Sequence, residues 1–181
     1  NGLDLEWRAS SGDHPGGDKA AFGSEFMTLM GRIITLPLPS ICAINGHAFG
    51  AGFMMALCHD VRLMRQDRGF ICANEVEIGM VIPDPELALF QHKLPANVFF
   101  ETVQLARRWT GPQAAEAGIV SQVYSQEELL ENALNQAQSL ARLGENRKVY
   151  GQMKERLFGS NAAINTPHGA AHLLKSVSDK S

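Results

Sequence analysis

The chain lacks an excess of positive charge and has few cysteines. Its 181 residues include 16 Lys and Arg against 19 Asp and Glu, which gives a net charge of -3. This balance supplies no general attraction to a phosphate backbone, so we expect no nucleic-acid partner. The three cysteines, Cys42, Cys58 and Cys72, have no CxxC spacing, and their odd number argues against a complete disulfide framework. They are predicted to be reduced, buried thiols of an intracellular protein.

The chain also lacks a long apolar run and a leader-like start. No run reaches the ~18 apolar residues of a membrane span, and no basic segment near the N-terminus leads into an apolar one. We therefore expect no membrane insertion and, by default, a cytoplasmic protein. The alternative is the peroxisomal or mitochondrial matrix, because the chain begins at Asn1 without Met and is expected to start inside a longer polypeptide. Residues 178–181 are not an SKL-type signal.

Several site motifs are missing as well. The sequence contains neither the GxxxxGK[ST] phosphate loop nor the GxSxG element of serine hydrolases. His47 and His59 lack the spacing of a zinc-binding pair, so both are predicted to be structural. We accordingly predict neither a metal nor a bound redox cofactor.

The residues that are present predict one packed α/β domain. The composition is 45% hydrophobic and 19% charged, which fits a chain long enough to bury an apolar core. Apolar residues at helical spacing predict an amphipathic helix over 22–34, which Pro37 ends. Residues 10–18 are almost all turn formers and predict an exposed loop.

The middle of the chain predicts a βαβ-type unit. Residues 40–45 are typical of a strand buried on both faces, 46–52 of a glycine-spaced turn and 53–58 of a buried helix. Strands at 61–65 and 70–73 complete the unit. Further helices are predicted near 85–92 and at 97–109, 113–117, 125–143 and 147–158. Solvated helix faces are predicted for Arg107, Arg108, Arg147, Lys148, Lys154 and Arg156, and core or interface positions for Phe99, Phe100 and Trp109.

The glycine-spaced turn is the first candidate for chemistry. Residues 45–53 read Asn-Gly-His-Ala-Phe-Gly-Ala-Gly-Phe between the predicted strand and helix. Glycines there allow a ligand to approach the backbone, and the amides at a helix start can stabilise a developing oxyanion. A tight connection that needs glycine for steric reasons alone fits this stretch equally well.

Three further segments occur around this turn, namely Asn-Gly-Leu-Asp-Leu at 1–5, His-Asp at 59–60 and Asn-Glu-Val-Glu-Ile-Gly at 74–79. Together the four resemble the crotonase, or enoyl-CoA hydratase/isomerase, superfamily, and within it the Δ3,Δ2-enoyl-CoA isomerases. The resemblance implies a crotonase-like α/β fold with a ββα-spiral core over 1–122, lacking its N-terminal strands. It also implies a helical C-terminal oligomerisation region over 123–181 and assembly into homotrimers or dimers of trimers.

The resemblance further implies an acyl-CoA substrate and assigns roles to residues. The backbone amides of Leu3 and Ala51 would form an oxyanion hole for the thioester, and Glu75 would be the single catalytic acid/base. Hydratase-like relatives carry a second glutamate just after the glycine turn, where this chain has Met54, which cannot transfer protons. Further substrate contacts are assigned to Asn1, Gly2, Leu5, Gly50, Phe53 and Asn74.

Two other carboxylates could be the catalytic residue, and three other functions compete with the isomerase. Glu77 shares a face with Glu75 if the strand continues, and Asp84 lies near the place where dienoyl-CoA isomerases carry an aspartate. The rival enzymes are an enoyl-CoA hydratase and a dienoyl-CoA isomerase. A non-catalytic acyl-CoA-binding protein of the same fold is the rival from another class.

Overall fold

The computed structural model describes residues 2–4, 6–7 and 22–158. The predictions for Asn1, for Leu5 and for the loop at 10–18 lie outside these residues. The helices are α1 (Phe22–Ile34), α2 (Ala51–Leu57), α3 (Asp84–Lys93), α4 (Ala96–Val103), α5 (Gly111–Glu116), α6 (Gln126–Leu140) and α7 (Arg147–Phe158), with a 3-10 turn at Ala141–Gly144. The strands are β1 (Ile41–Ile44), β2 (Ala48–Phe49), β3 (Val61–Arg65), β4 (Ile71–Cys72) and β5 (Gln122–Tyr124).

The strands form two parallel sheets from a repeated ββα pattern. β1, β2 and α2 make one unit, and β3, β4 and α3 make the next. The first strand of each unit joins a three-stranded sheet of order β1-β3-β5, whereas the second strands pair as β2 with β4. Parallel neighbours require a crossover, which α2 supplies between β1 and β3. The predicted ββα spiral and βαβ unit are thereby confirmed.

The core lies around α2. Phe53 and Leu57 are fully buried, and the ring of Phe53 meets that of Phe90 on α3 edge-on, with 5.2 Å between the ring centroids. Leu63 of β3 forms a smaller apolar cluster with Leu129 and Ala133 of α6. The three-stranded sheet is thus packed against α6, and β2 of the two-stranded sheet against α2. Within the described residues no helix is long and apolar enough to cross a membrane.

Four predictions of local structure were wrong. The turn at 46–52 contains β2, and β1 is not buried on both faces, since Ala43 is exposed. The helix predicted over 97–109 ends at Val103. The backbones of Trp109 and Ile71 exchange two hydrogen bonds of 2.9 Å, which the chain can make only by leaving the helix. The fourth error concerns Lys154.

Lys154 is buried, although it was predicted on a solvated helix face. Its ammonium group lies 2.7 Å from Asp60 Oδ2 and donates to the carbonyl oxygen of Leu38 at 3.1 Å. Asp60 Oδ2 also accepts from the backbone amide and hydroxyl of Ser40. α7 is therefore tied to the starts of β1 and β3.

The predicted division between the core region and the C-terminal region, at residues 122 and 123, falls within β5.

We expect Lys154→Met to lower the free energy of unfolding by about 2 kcal/mol, measured by urea titration. Breaking a buried ion pair typically costs about 3–5 kcal/mol, but Asp60 keeps its bonds to Ser40 and its side chain is 20% exposed, so we expect less. Lys148→Met, on the exposed face of the same helix, should change stability by under about 0.5 kcal/mol. Equal effects of the two substitutions would contradict a stabilising role of the Lys154 ion pair.

Candidate active site

Two parallel strands bring the separated sequence motifs together. Phe49 of β2 pairs with Cys72 of β4, and the amide of Gly50 donates to the carbonyl oxygen of Cys72 at 2.9 Å. Because the carboxyl ends of parallel strands meet at one edge, the glycine turn after β2 and residues 74–75 after β4 lie side by side. This topology explains why segments 25 residues apart form one site.

Gly50 lets the carboxyl group of Glu75 lie directly against the backbone. Its φ of 50° and ψ of -119° suit glycine rather than other residues. A Cβ atom at this position would lie 2.9 Å from Glu75 Oε1 and 3.9 Å from Asn74 Oδ1. Glycine is therefore favoured at position 50 for two reasons. Its backbone angles suit glycine, and a side chain there would collide with the carboxyl group of Glu75, the predicted catalytic residue.

The N-terminal segment reaches the same turn. A Cβ atom on Gly2 would lie 2.9 Å from the carbonyl oxygen of Phe49, so Gly2 passes close to β2. Asp4 Oδ1 accepts a 2.8 Å hydrogen bond from the amide of Trp7, which shapes the segment after Leu3. Ala51 begins α2, and the amides of a first helical turn have no intrahelical partner. Leu3 and Ala51 thus both reach the site.

These segments enclose a cavity of about 410 Å³. Most of its lining side chains are apolar, and α1, the glycine turn, the 74–83 segment and α3 each contribute. The residues are Gly2, Leu3, Gly23, Phe26, Phe49, Gly50, Ala51, Met54, Asn74, Glu75, Ile78, Met80, Val81, Pro83 and Glu86. The volume suits a small organic ligand and the lining suits an apolar one with a few polar groups.

Glu75 is the most enclosed carboxyl group of the cavity. The residue is only 8% exposed, and its Oε2 atom accepts no hydrogen bond from the described residues. Burial raises the pKa of Glu75, an effect that a hydrogen bond from its own backbone amide partly opposes. A carboxyl group with a raised pKa can both accept and return a proton near neutral pH.

Sequence reasoning missed a second carboxyl group at this cavity, that of Glu86. It stands in the first turn of α3, where an acidic residue is ordinary because it complements the helix dipole. Its Oε2 atom is shielded from solvent and has no hydrogen-bond partner in the part of the chain the structure describes. The sequence signal that Glu86 is not an ordinary capping residue was Pro83, which precedes α3. Proline has no amide hydrogen, so the Glu86 carboxylate cannot accept a capping hydrogen bond from it.

The two rival carboxylates lie outside the cavity. The strand does not continue past Glu75, because residues 75–79 form a turn in which the amide of Met80 donates to the carbonyl oxygen of Glu75 at 2.8 Å. Glu77 is exposed and pairs with Arg108 at 3.1 Å. Asp84 is exposed at the start of α3. Neither side chain reaches the position that Glu75 occupies.

Other predicted residues divide between the site and the core. Gly2, Gly50 and Asn74 line the cavity, whereas Phe53 does not, because it is fully buried against Phe90. His59 Nδ1 lies 3.0 Å from the carbonyl oxygen of Met55, and His47 Nδ1 accepts from the amide of Phe70. Among the described residues no group of three His, Cys, Asp or Glu side chains could hold a metal ion.

Comparison with known proteins identifies the family. The sequence profile described as "Enoyl-CoA hydratase/isomerase" matches residues 1–173. The chain belongs to this family. It is 33% identical over 161 residues to enoyl-CoA delta isomerase 3 of Arabidopsis thaliana, covering 87% of this chain and 68% of the relative. It is 34% identical over 137 residues to the same plant's peroxisomal enoyl-CoA delta isomerase 1, covering 75% of this chain and 57% of the relative.

Solved structures of the family share the fold. A family member from Pseudomonas syringae superposes with a TM-score of 0.77 at 26% identity, over 99% of this chain and 71% of that protein. A probable enoyl-CoA hydratase from Mycobacterium tuberculosis gives a TM-score of 0.75 at 26% identity, over 98% of this chain and 69% of that protein. The predicted crotonase fold and the resemblance to Δ3,Δ2-enoyl-CoA isomerases are confirmed.

Proposed function

We propose that the chain is a Δ3,Δ2-enoyl-CoA isomerase, which moves the double bond of a 3-enoyl-CoA to position 2 in fatty-acid oxidation. The observation that carries the proposal is the buried carboxyl group of Glu75, which lines an apolar cavity. Its Oε2 atom has no hydrogen-bond partner among the described residues. The names of the plant relatives support the same reaction. The sulfur-linked CoA belongs to the substrate, and the proposal includes no separate cofactor.

The chemistry needs one base and one oxyanion site. Glu75 takes the proton from C2, and the electron pair of the broken C–H bond delocalises onto the thioester oxygen. The amides of Leu3 and Ala51 donate to this oxygen, and removal of one such donor typically costs about 3 kcal/mol of transition-state stabilisation. As the dienolate collapses, the double bond forms between C2 and C3 and C4 takes up a proton.

Met54 favours isomerisation over hydration. Its thioether lies at the cavity just after the glycine turn and is 5% exposed, so this position offers no group that can activate a water molecule. Hydration of a 2-enoyl-CoA remains the second candidate, because Glu86 gives the cavity a second carboxyl group. The position of that group on α3 differs from the one where hydratase-like relatives carry theirs.

The predicted homotrimer is part of the proposal. Apolar side chains on α7 recur at helical spacing and are about half exposed, as for Val149 and Met153 at 52% and Leu157 at 51%. Leu130 and Leu134 form a similar pair on α6. Exposed apolar stripes of this kind are typical of surfaces that pair with another chain, which supports self-association of the C-terminal helices.

Cytoplasmic localisation likewise stays a prediction.

The deciding experiment measures three reactions on one preparation of the intact parent chain. We expect conversion of 3-enoyl-CoA to exceed both the hydration of 2-enoyl-CoA and the isomerisation of a dienoyl-CoA. Faster hydration would replace the proposal with the second candidate, and faster dienoyl conversion would point to a dienoyl-CoA isomerase. Binding of CoA esters without any turnover would make the chain a non-catalytic acyl-CoA-binding protein.

A further inference from the structure

Glu86 is held in an environment that a structural role does not explain. Its carboxyl group lines the same cavity as that of Glu75, and Oε2 of each residue is buried without a hydrogen-bond partner among the described residues. An unpartnered buried polar atom costs about 1–3 kcal/mol. Apolar side chains line most of the remaining cavity wall, so packing alone does not explain why two unpartnered carboxyl oxygens are buried there.

The usual reason for a glutamate in the first turn of a helix does not apply here. In a capping box the third helical residue accepts from the amide of the N-cap residue. The N-cap residue of α3 is Pro83, which has no amide hydrogen and makes no side-chain cap bond. The helix dipole favours an acidic residue at this end, but Asp84 already provides one on the exposed surface.

We propose that Glu86 is the acid that protonates C4 of the substrate, while Glu75 is the base that removes the proton from C2. This inference rests on the proposed isomerase function and assigns its two proton transfers to two residues. Glu86 would contact the acyl chain from α3, and Glu75 would contact it from the turn after β4. Among the described residues that line the cavity, these two are the only ionisable ones.

The proton balance closes over one turnover. The C2–H bond breaks and its proton passes to ionised Glu75, which leaves the dienolate. The dienolate collapses to the 2-enoyl thioester as the C3=C4 electron pair takes the proton of Glu86. Glu75 is then protonated and Glu86 is ionised, so Glu75 must release its proton to solvent and Glu86 must take one up from solvent before the next cycle.

The electrostatics of the pair match this division. Burial is the main cause that raises the pKa of each carboxyl group, and a hydrogen bond from each residue's own backbone amide partly opposes it. The negative charge of Glu75 raises the pKa of Glu86 further. An ionised Glu75 therefore favours the protonated form of Glu86. Two carboxyl groups whose environments separate their pKa values are a recurrent source of one base and one acid in a single site.

The test is Glu86→Gln in the intact parent chain, assayed for kcat with 3-enoyl-CoA across pH. We expect a loss of about 10-fold to 100-fold, at or below the low end for general acid catalysis, because Glu75 can still return its own proton. Wild-type kcat is expected to decline as pH rises through the raised pKa of Glu86, and this decline should be absent from the variant. Glu127→Gln, in the exposed first turn of α6, should leave kcat and its pH profile unchanged.

Two further measurements separate catalysis from folding. The midpoint of thermal unfolding of Glu86→Gln should equal or exceed that of the wild type, because the variant removes a buried ionisable group. Glu86→Met, which keeps the length of the side chain without a proton to give, should show the same loss of kcat. A lower midpoint together with an unchanged pH profile would assign Glu86 a structural role and overturn the proposal.

Isotope transfer gives an independent result. With a substrate deuterated at C2, the wild type should place solvent hydrogen at C4, whereas the residual activity of Glu86→Gln should transfer more deuterium from C2 to C4. Equal transfer in both proteins, or wild-type kcat in the variant, would remove Glu86 from the reaction. Absence of isomerisation by the wild type would instead refute the proposed function itself, so the two failures are distinguishable.

Discussion

Glu75→Gln is expected to lower the turnover of 3-enoyl-CoA by at least about 100-fold, the lower range for lost general acid/base catalysis. Glutamine keeps the size of the side chain but cannot accept the C2 proton. Since the change leaves the oxyanion amides and the cavity walls in place, affinity for a CoA ester should stay near that of the wild type. Steady-state kinetics and direct titration of binding measure the two quantities separately.

Glu77→Gln is the matched control, because Glu77 lies in the same turn but pairs with Arg108 outside the cavity. Its turnover should stay near that of the wild type. A loss at Glu77 that exceeds the loss at Glu75 would move the base to Glu77. The same comparison with Asp84→Gln tests the other carboxylate that sequence reasoning kept open.

The raised pKa of Glu75 also fixes the sign of two pH effects. Wild-type turnover should fall as pH drops through this pKa, because the base must be ionised. Stability should change in the opposite direction: a carboxyl group whose pKa is higher in the folded state contributes stability below its ordinary pKa of 4.5 and loses that contribution as pH rises through the folded value. At neutral pH, Glu75→Gln should therefore be at least as stable as the wild type.

The parts of the fold that sequence predicted are those that local patterns determine. The periodic apolar residues of 22–34 and the prolines after them gave α1 at the predicted bounds. β2 was missed because its two residues, Ala48 and Phe49, are defined by pairing with β4 rather than by a pattern of their own. The early end of α4 has the same origin, since the exchange of hydrogen bonds between Trp109 and Ile71 is a tertiary contact.

The residues of the candidate site fall into the same two groups, those that a local sequence pattern predicts and those that only the folded structure reveals. Gly50, Ala51, Asn74 and Glu75 belong to motifs whose order and spacing could be compared with a family, and the structure brings all four to one cavity. Glu86 belongs to no such motif, and its one sequence signal is Pro83, which leaves it no N-cap amide to accept from. Its significance depends on burial and on a missing hydrogen-bond partner among the described residues, which only the folded arrangement of α3 against the 74–83 segment reveals.

The close approach between Gly50 and Glu75 yields a second prediction of large effect. In Gly50→Ala, the new Cβ atom would meet Glu75 Oε1 at 2.9 Å. The contact is with the end of a side chain, so the carboxyl group can yield by moving away from the backbone. A displacement of about 1 Å at a catalytic group can cost about 100-fold in rate, and we expect turnover of 3-enoyl-CoA to fall by this order.

Backbone strain adds to this effect and must be separated from it. The backbone angles at Gly50 are unfavourable for alanine, and such a residue typically costs about 1–3 kcal/mol of stability.

Gly118→Ala is the control for this strain, because Gly118 also has a positive φ, of 74°, while the nearest atom to its Cβ position is Pro95 Cγ at 4.0 Å. Both variants should lose stability in urea titration, but only Gly50→Ala should lose turnover as a folded protein. If folded Gly50→Ala isomerises 3-enoyl-CoA at the wild-type rate, the position of the Glu75 carboxyl group against this glycine is not what the reaction requires.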